Sequence, residues 1–158
     1  MQLDLFSIAW NLASVLVTVL LHSVGTVLIV AQRPRLFGFV IRERKVARGQ
    51  LVIMLIVIEL LMLHLLEIGF WGLCLRALSL FSSFKSALYF AGISYTSLGY
   101  SGALPPPRIG FSEVLISMMG LLMFGWSVSI LVTTVIQYEK IALNWSPLND
   151  PTVIPKRE

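Results

Sequence analysis

The fold class this chain predicts is an all-α integral membrane protein, and three observations predict it. Of the 158 residues, 57% are hydrophobic and only 13% charged, with a mean hydropathy of +0.86, which excludes an ordinary soluble domain. Three apolar runs, at 5–31, 51–75 and 111–137, are each long enough to cross a hydrocarbon core of about 30 Å at 1.5 Å per residue. A fourth run, 83–95, is too short to cross and leads into a stretch of glycine, serine and proline. That pattern describes backbone that enters a membrane and returns, tolerated at depth only where protein covers it or water meets it.

The first run, Leu5 to Ala31, is interrupted only by Asn11, His22 and small hydroxyl residues. No Lys or Arg precedes it and it is longer than the core of a signal peptide, so it is expected to stay as a transmembrane helix. The connection 32–50 then carries Arg33, Arg35, Arg42, Arg44, Lys45 and Arg48, half of the chain's 12 Lys and Arg residues. Lying between two apolar spans, the cluster reads as a topology signal and not as a nucleic-acid surface. It predicts that 32–50 is cytoplasmic, with the N-terminus outside and the C-terminus inside, in a multi-pass protein of the plasma membrane. Within it, Pro34 suits a helix start, and Leu36, Phe37, Val40 and Ile41 suit an interfacial helix against lipid headgroups.

The second span, 51–75, carries Glu59, His64 and Glu67. At 100° per residue, Glu59 and Glu67 lie about 80° apart and His64 about 60° from Glu67, so all three share one side. That side is expected to face protein, because lipid offers ionisable groups no partner. The spacing of His64 and Glu67 resembles that of carboxylate metal sites, but one histidine and one or two carboxylates are too few ligands unless subunits combine. A hydrogen-bonded seam between helices is the better account.

Ser82 or Ser83 can cap the short helix that ends near Tyr95, and its C-terminal end, pointing into the membrane, carries a partial negative charge that favours a cation. Pro105, Pro106 and Pro107 give a stiff extended return. Ser112 is the expected cap of the third span, with Glu113 in its first turn. Gly120 and Gly125 inside that span are either close-packing positions or a gating hinge. The segment 139–158, with three prolines in its final part, is a tail, and Cys74, the single cysteine, permits no intrachain disulfide.

Tyr95-Thr96-Ser97-Leu98-Gly99-Tyr100-Ser101-Gly102 resembles the selectivity filter of potassium channels, in the form found in small bacterial ion channels. His64 to Ile68, Ala87 to Phe90, Leu104 to Pro106 and Gly120 to Ser127 stand around it in that family's order. The resemblance implies a pore domain over 51–138: outer helix 51–75, pore helix 83–95, filter 96–102 and inner helix 111–137, with 1–31 as an extra helix. It also implies a homotetramer in which Thr96, Ser97, Leu98, Gly99, Tyr100 and Ser101 of each chain line the ion path with backbone oxygens. His64 and Glu67 then support the filter from behind. Ser97 stands where the family has threonine; Ser101 and Gly102 depart from its second glycine and its aspartate, which weakens the expected preference for potassium over sodium.

The function expected is a cation channel, with a non-conducting channel-like membrane protein or a weakly selective channel as alternatives. No nucleophile, cofactor fingerprint or sufficient ligand set points to an enzyme, and no cofactor or metal is expected beyond the permeating potassium or sodium ion. Partners are other copies of the chain and lipid. No span carries a periodic Arg/Lys series for sensing voltage, and the tail is too short for a regulatory domain, so regulation is expected to be simple, of unknown kind, or supplied by another protein.

Overall fold

The computed structural model describes residues 5–43, 46–99 and 110–143. They form four helices: α1 (Leu5–Glu43), α2 (Val46–Ala77), α3 (Phe84–Tyr95) and α4 (Gly110–Leu143). Three of them, α1, α2 and α4, are long and apolar enough to cross a membrane.

Helix α1 packs antiparallel on α2: His22 meets Glu67 and Gln32 meets Glu59, while Gly25 leaves room for Leu63. Its two sides differ in an unusual way for so apolar a helix. Asn11, Ser14, Thr18, His22, Thr26 and Arg33 are buried, whereas Leu12, Leu16, Leu20, Val24 and Leu28 are exposed. The spacing of three or four residues puts the polar groups in one stripe, so α1 turns its polar face to protein and its leucines to lipid. Most hydroxyls on that stripe close on their own helix, Ser14 on the carbonyl of Trp10, Thr18 on that of Ser14 and Thr26 on that of His22.

The helix break expected after Ala31 is not there. Helix α1 runs through Pro34 to Glu43 as one element of 39 residues, and the separate interfacial helix is instead its last third. Proline removes one helical hydrogen bond, but Phe37 and Val40 beyond it are buried with Ile56, Leu60 and Ile130, and this packing holds the axis together. The other spans also outrun their sequence bounds: α2 extends over Val46–Ala77 and α4 over Gly110–Leu143, so the segment expected as tail begins as helix. Ser112 lies inside α4 and is buried, so it is not the cap.

Helix α3 has only 12 residues, and Ser83 caps it by accepting a hydrogen bond from the Ser86 amide. It is wedged between α2 and α4. Gly72 brings α2 to within contact of the Leu88 backbone, and Gly120 of α4 sits against the Tyr95 carbonyl. Phe90, Ala91, Tyr95, Trp71, Ile116 and Met123 form the core around it, while a second cluster from Ile29 to Ile130 joins α1, α2 and α4. Along α2, His64 and Glu67 fall between Leu63 of the second cluster and Trp71 of the first.

Candidate functional site

The C-terminal end of α3 delivers the chain into the filter-like stretch. The Ser97 amide donates to the Ser94 carbonyl and the Leu98 amide to the Ile93 carbonyl, which is the Schellman pattern of a helix stop. Ser97 occupies its left-handed position at φ 57°, and Gly99 is again left-handed at φ 75°. Helix α2 ends by the same device, with Ser79 at φ 55°. Thr96 bonds its hydroxyl back to the Gly92 carbonyl at 2.8 Å, and Thr96, Ser97, Leu98 and Gly99 are all exposed on the single chain. Tyr100, Ser101 and Gly102 lie outside the described residues, as does the triple proline.

Behind this end of α3 lies a buried polar layer built from all four helices. Glu67 of α2 is at its centre, fully buried. Its Oε1 is 2.7 Å from His22 Nδ1 of α1, and its Oε2 accepts the hydroxyl proton of Tyr95, the last residue of α3. The Tyr95 oxygen is 3.0 Å from His64 Nδ1, and His64 Nε2 is 3.0 Å from the Ser127 hydroxyl of α4. With the tyrosine proton given to Glu67, His64 donates from Nδ1 to the Tyr95 oxygen and accepts at Nε2 from Ser127. Phe124 stacks on the His64 ring at 4.3 Å and Trp126 meets the His22 ring edge-on at 5.4 Å, which closes the layer on the α4 side.

His64 and Glu67 therefore come together as their spacing indicated, but Glu59 does not join them. It is half-buried further along α2 and takes a hydrogen bond from Gln32 at 2.5 Å. His22 and Tyr95 were not read from the sequence as members of this group. A histidine in the middle of an apolar span was the available signal for the first; nothing local marked the second. With His22 added, His64 and Glu67 make three metal-ligating side chains whose donor atoms lie within 4.8 Å of one another.

The two glycines of α4 also separate. A Cβ on Gly120 falls 1.9 Å from the Tyr95 carbonyl oxygen, while one on Gly125 meets nothing within 4 Å. Gly120 is thus a close-packing position against α3, and Gly125 faces open space on the single chain. Toward the other end of α4, the buried Arg33 of α1 donates to the Ile130 carbonyl at 3.0 Å and to the Thr133 hydroxyl at 3.2 Å.

No curated protein and no solved structure matches the chain. A family model described as ion channel matches residues 51–137. That stretch takes in α3, nearly all of α2 and most of α4, and leaves α1 outside, so the chain belongs to this ion channel family as a multi-pass membrane protein with one helix preceding the family's region.

Proposed function

We propose that four copies of this chain surround one axis and pass potassium through a filter made of backbone carbonyls from Thr96 to Ser101, with a weakened preference over sodium. The observation that carries this reading is α3. A 12-residue helix held between two spanning helices, ending in a helix stop and four exposed residues, is a way to present extended backbone to a shared axis. One loop supplies one oxygen per layer, and a cation that sheds its water needs several, which requires symmetry. The C-terminal end of α3 adds a partial negative charge that favours cations. In this reading the basic residues of 32–50 face the cytoplasm, the N-terminus is outside, and α1 lies at the periphery.

The test is a reversal potential under opposing potassium and sodium gradients, measured on protein reconstituted in lipid. Cation currents with incomplete discrimination are expected. Ser101→Gly should raise the potassium preference by restoring a permissive backbone, and adding Gly102→Asp should raise it further. A wild type already as selective as the double variant refutes the weakened filter. A silent tetramer supports a non-conducting membrane protein, and a monomer or dimer as the sole species refutes the pore.

A further inference from the structure

We propose that His22, His64 and Glu67, with Tyr95 in the fourth position, form a closed binding site for one zinc ion per chain, tying α1, α2 and α3 together. The argument begins with charge. Glu67 is fully buried in a spanning helix, and among the described residues its partners are His22, His64 and Tyr95, with no Lys or Arg beside it. With both imidazoles neutral the layer carries one uncompensated negative charge, which an apolar interior strongly disfavours. Hydrogen bonds from His22 and Tyr95 spread that charge without cancelling it.

A divalent ion closes the account differently. Two imidazoles and a carboxylate are a zinc donor set and not one for magnesium or calcium. The donor atoms of His22, His64 and Glu67 lie within 4.8 Å of one another, with His22 Nδ1 2.7 Å from Glu67 Oε1, His64 Nδ1 3.0 Å from the Tyr95 oxygen and the Tyr95 hydroxyl bonded to Glu67 Oε2, so zinc with bonds of about 2.0 Å has to spread these hydrogen-bonded pairs toward an edge of about 3.3 Å. On binding, each histidine carries its proton on Nε2, where His64 donates to Ser127, an orienting bond of the kind metal-bound histidines make. Tyr95 loses its hydroxyl proton to solvent and binds as phenolate. The two positive charges of zinc then meet one carboxylate and one phenolate, and the layer is neutral. Four protein donors inside walls of Phe124 and Trp126 describe a structural ion that loads as the helices assemble.

The experiment uses the full chain with an affinity tag free of histidine, expressed with added zinc and purified in detergent without chelator. Elemental analysis is expected to find about one zinc per chain, falling at least tenfold in His22→Asn, staying in Glu59→Gln, and returning in His22→Cys because a thiolate replaces the imidazole. Protein grown in cobalt should show the visible absorption of a tetrahedral site, a readout on the wild type alone that serves if the variants do not fold. Background zinc in folded wild type, or zinc kept equally by His22→Asn, overturns the proposal, and neither result depends on whether the protein conducts.

Discussion

At the scale of single residues, the contact between Gly120 and the Tyr95 carbonyl is the tightest constraint. Its Cβ position lies 1.9 Å from a backbone oxygen, which no rotamer change can relieve. Gly120→Ala must push α4 off α3, and overpacking of this kind costs about 1–3 kcal/mol. Gly125→Ala meets no neighbour and is expected to change stability within about 0.5 kcal/mol. Thermal melts of the two variants should therefore separate clearly, and equal melts would show that α3 moves freely against α4. Tyr95→Phe tests the layer behind it. Removing the hydroxyl leaves Glu67 Oε2 and His64 Nδ1 without their shared partner, a loss of about 1–3 kcal/mol. A variant as stable as wild type would mean that water replaces the hydroxyl. Ser97 sets up the opposite expectation, because a left-handed serine is strained by about 1 kcal/mol relative to glycine. Ser97→Gly should raise the melting temperature, and a fall would show that the serine hydroxyl makes a bond in the assembled protein that outweighs the backbone gain.

At the scale of elements, the three spanning helices and their order were legible in the sequence because apolar length alone decides what can span, whereas the separate interfacial helix expected in 32–50 is the end of α1. The short fourth run was equally plain, and Ser83 marks its start. The ends were not legible. The extension of α1 through Pro34 rests on Phe37 and Val40 finding Ile56 and Leu60, a contact between segments that no local pattern displays. The polar layer was half legible. His64 and Glu67 declared themselves by spacing within one helix, but the bonds to His22 and Tyr95 cross 45 and 28 residues of chain. More could have been read from α1 itself, where Asn11, Ser14, Thr18, His22 and Thr26 recur at three- and four-residue steps, the mark of a helix whose polar face meets protein. Arg33 belongs to this scale as well, since it ties α1 to α4 at Ile130 and Thr133. Arg33→Met keeps the stem and removes both bonds. It should loosen the lower half of α1 without disturbing the layer at Glu67, seen as faster amide exchange over Gln32 to Ile41 and unchanged exchange around His22. Uniform exchange would show that the guanidinium is dispensable.

At the scale of the whole molecule, α1 is outside the matched family region yet supplies a partner to its central carboxylate. Removing residues 1–43 takes away His22 and Arg33 together and leaves Glu67 with Tyr95 and His64 alone. The shortened chain is expected to aggregate or melt well below the full one, and adding Glu67→Gln should recover part of the loss by removing the stranded charge. If truncation alone changes nothing, α1 is an ornament of the pore region. The step from Glu43 to Val46 that joins α1 to α2 has a further consequence in time. A ribosome extends the chain from its N-terminus at about 5–20 residues per second, so α1 and α2 can close as a hairpin before α3 has emerged. Glu67 then meets His22 at once, and Tyr95, 28 residues later, arrives a few seconds afterwards at a carboxylate already sheltered from lipid. During its own synthesis the protein carries the chaperone for its most costly residue in its first helix.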